Sequence, residues 1–173
     1  MLTWCAHRVD ASLNAIKGGG ACQLREKVLA EAAKTFIIVA DYRKDSEILG
    51  TSWTQGIPIE VAEFAWSKVA RQLEKMGSTQ VNLRMGKMKA GPVVTDNGNF
   101  VIDAVFPQTI MKDTRDLLQR IRVLTGVLEV GLFVQMCQAA YFGNEDGTIT
   151  TKTRDGHVRA GVVFDVHRNP LVQ

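Results

Sequence analysis

Ile16-Lys17-Gly18-Gly19-Gly20-Ala21-Cys22-Gln23-Leu24-Arg25-Glu26-Lys27 leads within a few residues into Thr35-Phe36-Ile37-Ile38-Val39-Ala40, and these two stretches set the class of fold. Three consecutive glycines lack Cβ atoms, so the backbone there can take positive φ and let a ligand approach the main chain closely. Leu24, Val28, Leu29 and Ala32 recur at helical spacing and predict a helix from about Ala21 to Ala33 with its apolar stripe on those residues. The first turn of such a helix turns unpaired N–H groups and a partial positive charge toward the loop. Glu26 falls nearly opposite Leu24, off the stripe. Thr35 to Ala40 is a continuous apolar, β-rich run, as expected of a strand buried on both faces. Loop, helix and buried strand in that order read as a piece of a parallel α/β domain. Asp41 to Lys44 lies where the strand ends, and open α/β sheets bind ligands at that end.

Beyond Ile57 the pattern changes. A short strand (Ile57–Val61) precedes an amphipathic helix with Ala65, Val69 and Leu73 on its apolar face, and Val81–Met85 is a second strand. Val93–Asp96 and Phe100–Phe106 flank Asn97-Gly98, a strong hairpin signal. A helix from about Asp113 to Leu124 and a strand Val127–Val134 follow. With the hairpin arm set aside, the order is β-α-β-β-α-β, a ferredoxin-like α+β unit. We therefore expect a partial parallel, Rossmann-like α/β domain made of residues 1–52 and 136–150, rejoined by a strand at Ala139–Gly143, with an inserted ferredoxin-like domain at 53–135. Residues 151–173 have no useful period and form a tail of unknown structure.

Composition narrows the function classes. The chain has 173 residues and a formal charge of +3, with Lys and Arg spread along it, which gives no case for nucleic acid as a partner. Cys5, Cys22 and Cys137, and His7, His157 and His167, match no disulfide or metal spacing, as suits a reducing compartment. The apolar run at the start is too short for a signal peptide and no stretch is long enough to cross a bilayer, so a cytoplasmic, membrane-free protein is expected.

Lys17 before the glycines and Glu26 about two turns into the helix make an anion-tolerant cradle with a cation and a candidate base. Neither G-x-G-x-x-G nor a P-loop is present. Read alone, the glycines fit an ordinary turn and Glu26 an exposed helix residue.

In context the segment is more specific. Val9-Asp10-Ala11-Ser12-Leu13-Asn14-Ala15-Ile16-Lys17-Gly18-Gly19-Gly20 and Arg25-Glu26-Lys27 are followed in order by Phe36–Ser46, Leu49-Gly50, Gly56-Ile57-Pro58-Ile59-Glu60-Val61, Ala90–Phe100 and Gly126–Phe133. This series, running from about Val9 to Gly147, resembles the type A ribose-5-phosphate isomerases, in wording closest to eukaryotic members. The resemblance implies an aldose–ketose isomerase that interconverts D-ribose 5-phosphate and D-ribulose 5-phosphate through an enediolate, without metal or organic cofactor. It implies Glu26 as the catalytic base and Lys17, Gly18, Gly19, Gly20 and Lys44 as substrate-binding groups, in a homodimer acting in the pentose phosphate pathway. A proton moved between C1 and C2 needs a carboxylate base and groups that stabilise negative charge.

Two departures stand out. The family's Asp-Gly-Ala-Asp-Glu is here Trp4-Cys5-Ala6-His7-Arg8, so Trp4 and His7 stand where two sugar-positioning aspartates are expected. The family's N-terminal phosphate-binding loop and first strands have no counterpart, which reads as an N-terminal truncation and would leave the apolar run Phe36–Val39 without neighbouring strands. Two classes stay open: an isomerase, or a catalytically dead chain serving as an assembly or small-molecule-binding module.

Overall fold

The computed structural model describes residues 1–51 and 53–163. The first part of the chain contains β1 (Leu2–Trp4), β2 (Arg8–Val9), β3 (Ala15–Ile16), α1 (Gln23–Ala32) and β4 (Phe36–Asp41). There follow β5 (Ile57–Val61), α2 (Trp66–Lys75), β6 (Gln80–Leu83), β7 (Phe100–Val105), the short α3 (Gln108–Met111), α4 (Thr114–Arg122) and β8 (Val127–Val130). The last strands are β9 (Leu132–Phe133), β10 (Ala139–Gly143), β11 (Ile149–Thr153) and β12 (Val158–Val162).

The strands form three sheets. One has the order β1-β4-β10-β11-β12, with β4 parallel to both β1 and β10. Another has the order β6-β7-β5-β8 and is antiparallel throughout, the ferredoxin-like arrangement expected of a β-α-β-β-α-β string. Val69 and Leu73 of α2 and Leu117 and Ile121 of α4 pack with Ile57, Ile59 and Ile102 of this sheet in one core. The third sheet, β2-β3-β9, is small, and its Val9, Ala15 and Phe133 belong with Phe36, Ile38, Ala140 and Phe142 of the first sheet to a second core. The mixed α/β class is the one the sequence led us to expect.

Several local expectations need correction. The run Phe36–Val39 is not bare: β1 and β10 occupy both edges of β4. Nor is it covered on both faces, since Phe36, Ile38 and Ala40 are buried while Val39, on the opposite face, is about half exposed. The apolar stripe of α1 is not its buried face either. Val28 and Leu29 are 56% and 49% exposed, and the buried residues are Gln23, Lys27 and Ala30. Lys27 sets this orientation, because Nζ donates to Glu129 Oε1 (2.7 Å), to the Val130 carbonyl (2.5 Å) and to the Leu132 carbonyl (2.9 Å). A buried ammonium with three acceptors outweighs the exposure of two aliphatic side chains. The expected tail also contains structure: β11 and β12 form a hairpin on the edge of the first sheet. His167 and the rest of residues 164–173 lie outside the described residues.

The segment Val127–Val134 is interrupted at Gly131, where the chain passes from the four-stranded to the three-stranded sheet. Gly131 N–H donates to Pro58 O at 2.6 Å, and its carbonyl accepts from Lys17 N–H at 2.8 Å. A Cβ here would run into the Lys17 carbonyl oxygen and come within 2.9 Å of Pro58 O. Gly131→Ala should therefore destabilise the chain by about 1–3 kcal/mol or more, since backbone on both sides must shift. Urea unfolding measures this, and an unchanged midpoint would show that the crossing is loose.

Candidate active site

Chain path explains how the glycine loop is held. β3 delivers Lys17 into the interior, 1% exposed, through the Lys17 N–H to Gly131 O bond. Gly18 takes a φ of +104°, and a Cβ on it would lie 2.7 Å from Gln23 Oε1. At Gly19 a Cβ would lie 2.5 Å from the His7 ring. Both positions therefore need glycine, one for its backbone conformation and both for close approach. Gly20 is exposed at the tip, with open space around its Cα.

The ionisable groups gather beside this loop. Lys17 Nζ lies 3.4 Å from Glu26 Oε2, donates to the Cys5 carbonyl, and sits 5.3 Å from the Trp4 ring centre and 5.5 Å from that of Phe133. Burial lowers the Lys17 pKa, and the Glu26 carboxylate opposes that shift. The Glu26 side chain is 14% exposed, and its Oε2 is buried against the Lys17 ammonium. Lys44, in the turn after β4, donates from Nζ to Cys5 Sγ at 3.2 Å. Cys5 thus touches both lysines. Of the residues singled out from the sequence, Lys17, Gly18, Gly19, Glu26 and Lys44 come together, and Gly20 stands at the margin.

His7 enters the same space. Its Nε2 accepts the Gly19 N–H at 2.8 Å, and its ring stacks on Trp53 with centroids 4.6 Å apart. An accepting Nε2 requires the neutral tautomer with the proton on Nδ1. Burial, and then the charges of Lys44, Lys17, Arg84 and Arg8, lower its pKa from 6.5. The unfolded chain therefore takes up a proton below pH 6.5 that the folded chain refuses, so stability should fall as pH drops through this range. His7→Gln should flatten that dependence. Urea midpoints at about pH 7.5 and about pH 5.5 provide the comparison, and equal pH slopes in both proteins would contradict it.

The structure also recruits residues to which the sequence reading assigned no role. Arg84 Nη1 donates to the carbonyls of Gly18 at 2.9 Å and Gly19 at 3.0 Å. Buried Glu60 accepts at Oε1 from Thr95, Asn97 and Asn99 at 2.8, 3.0 and 2.9 Å, which fixes the hairpin tip. Arg25 of α1 grips that tip through Asn97 Oδ1 and the Asp96 carbonyl. A strand-end Arg and a hairpin partner were hidden because these contacts are long-range and leave no local pattern. A cleft of about 510 Å³ is lined by Gly19, Gly20, Ala21, Arg84 and Asp103 among others. Among the described residues, no group of three His, Cys, Asp or Glu side chains could hold a metal ion, and no helix is long and apolar enough to cross a membrane.

The sequence profile of ribose 5-phosphate isomerase A (phosphoriboisomerase A) matches residues 5–147. A ribose-5-phosphate isomerase from Mycosarcoma maydis is 67% identical over 165 residues, covering 95% of this chain and 58% of the relative. The alignment passes residue 147, so part of residues 151–173, expected to be a tail of unknown structure, has a counterpart in that relative. The Schizosaccharomyces pombe ribose-5-phosphate isomerase is 50% identical over 152 residues, covering 87% of this chain and 55% of that protein. The chain thus spans somewhat more than half the length of these relatives. Among solved structures, a D-ribose-5-phosphate isomerase in complex with phospho-erythronic acid superimposes with a TM-score of 0.82 at 37% identity, covering 88% of this chain and 64% of that one. Ribose 5-phosphate isomerase A from Methanocaldococcus jannaschii gives 0.79 at 34% identity, with coverage of 87% and 64%.

Proposed function

The chain belongs to the ribose 5-phosphate isomerase A family, and from that premise we propose that it interconverts D-ribose 5-phosphate and D-ribulose 5-phosphate in the non-oxidative pentose phosphate pathway. The observation that carries this reading is Glu26 Oε2, a buried carboxylate oxygen facing the buried Lys17 ammonium at 3.4 Å, a contact longer than an ordinary charged hydrogen bond. Its lone pairs are available to a substrate proton, which suits a base.

In this reading Glu26 takes the proton from C2 of the open-chain aldose. The C–H electrons form the C1=C2 bond of an enediolate, and negative charge develops on O1. Glu26 then returns the proton to C1 while the O2 hydroxyl proton passes to O1, leaving the carbonyl at C2 and a hydroxyl at C1. Lys17, beside the carboxylate, and the loop N–H groups supply positive charge to the enediolate oxygens. A substrate oxygen reaching the Gly19 N–H displaces the His7 imidazole. Lys44 supplies a second cation to the sugar phosphate.

One structural neighbour is a complex with phospho-erythronic acid. Its carboxylate offers negative charge of the kind an enediolate develops, and we propose that it binds this chain against Lys17 and the glycine loop. The test is formation of ribulose 5-phosphate from ribose 5-phosphate by the purified chain, inhibited competitively by phospho-erythronic acid. A folded chain showing neither turnover nor binding would overturn the reading. The same reading carries a homodimer, measurable by sedimentation, and a cytoplasmic location, where the free thiols of Cys5, Cys22 and Cys137 stay reduced.

A further inference from the structure

Arg84 follows β6 in the four-stranded sheet, yet its guanidinium ends at the glycine loop. Nη1 holds both the Gly18 and Gly19 carbonyls, at 2.9 and 3.0 Å. The rest of the guanidinium is held by Asp103 on β7, with Nε to Oδ2 at 2.8 Å and Nη2 to Oδ1 at 2.5 Å, a two-point pair. Gln55 Nε2 adds a bond to the same carboxylate at 3.2 Å. The side chains of Arg84 and Asp103 are only 11% and 7% exposed. The Arg84 main chain is fixed too, by its N–H to Val101 O and by its carbonyl accepting from Val93 N–H.

A peptide unit is planar, and in the trans form its C=O and N–H point in opposite directions. Holding the Gly18 carbonyl on Arg84 therefore turns the Gly19 N–H away from it, toward His7, as observed. Holding the Gly19 carbonyl does the same for the Gly20 N–H. The Ala21 N–H also donates to the Gly18 carbonyl at 3.0 Å, but glycines otherwise leave such planes free to rotate, because no Cβ favours one orientation. A cation on both carbonyls also polarises the two amides and strengthens them as donors.

We propose that Arg84, anchored by Asp103, is a positioning residue for catalysis: from the ferredoxin-like sheet it fixes two successive peptide planes of the glycine loop so that their N–H groups face the reacting oxygens. What those amides bind rests on the isomerase reading; the clamp itself does not. The experiment compares wild type, Arg84→Ala, Arg84→Lys and Asp103→Asn in two measurements. One is kcat and KM for ribose 5-phosphate. The other is the amide resonances of Gly19 and Gly20 in the substrate-free protein, by ¹⁵N NMR.

Arg84→Ala should lower kcat by about 10²-fold, the scale of losing one preorganised oxyanion donor, with a smaller change in KM. It should also shift or broaden both glycine amides. Arg84→Lys and Asp103→Asn should fall between Arg84→Ala and wild type in both measurements. A merely structural Arg84 would lower the melting temperature and leave kcat and the two amides of the folded fraction unchanged. That result, in Arg84→Ala or, should it not fold, in Arg84→Lys, overturns the proposal. A wild-type chain without turnover would remove the isomerase reading, while the amide resonances still decide the clamp.

Discussion

Replacing Glu26 with Gln should slow isomerisation by about 10²-fold or more, because the amide keeps the shape of the side chain and removes the base. The geometry makes this a clean substitution. Glu26 lies on α1 with its Oε2 facing the Lys17 ammonium at 3.4 Å, and Gln keeps the side chain in that place. What it loses is one charge, 3.4 Å from Lys17 Nζ. The Glu26 charge opposes the burial that lowers the Lys17 pKa, so its removal should lower that pKa further. Removing one side of the buried Lys17–Glu26 pair should lower the unfolding midpoint as well, so turnover is compared per folded molecule, and there it should collapse. A variant with near-normal kcat would show that another group moves the proton.

The second large effect is on stability. Lys27 is 3% exposed, and its ammonium donates to Glu129, Val130 O and Leu132 O while lying 4.9 Å from the Phe133 ring centre. Lys27→Met leaves the buried Glu129 carboxylate with Arg122, at 3.9 Å, as its remaining ion-pair partner among the described residues. Breaking a buried pair from one side costs about 3–5 kcal/mol. A typical domain has only about 5–15 kcal/mol in total. The variant should therefore be largely unfolded at modest urea concentrations. Adding Glu129→Leu should recover part of the loss, since the uncompensated charge goes with it. A single variant within about 1 kcal/mol of wild type, a cost more typical of an exposed pair, would contradict the role given to Lys27. The same ammonium also sets which face of α1 turns inward, so loosening it should disturb Glu26 as well.

How much of this was legible follows from the range of each contact. The glycine loop, the helix after it, β4 and the β-α-β-β-α-β order are signalled by neighbours in sequence, through spacing and turn residues. The inward face of α1 was misread because apolar spacing favours Leu24, Val28 and Leu29, whereas the deciding partner of Lys27 is 102 residues away. Arg84 reaches the loop across 65 and 66 residues and carries no motif of its own. β11 and β12 were missed because their residues are mixed in polarity and mostly half-buried or exposed. Asp155-Gly156 between them is, however, a hairpin signal that could have been used. At the site, the spacing of Lys17 and Glu26 suggested a cradle. The depth at which Lys17 is buried, and the contact of Lys44 with Cys5 at 3.2 Å, come from the folding of β1, β3 and β4 around one point.

Glu26 is proposed to move a proton between two carbons of a sugar phosphate. The most direct measurement of this transfer is proton NMR of ribose 5-phosphate in D₂O with the purified chain and with Glu26→Gln. The expected result is ribulose 5-phosphate carrying solvent deuterium at C1 and gradual loss of the C2 proton from the remaining ribose 5-phosphate, both suppressed in the variant. Deuterium entering at the same rate with Glu26→Gln, or none entering with the wild-type chain, would contradict it.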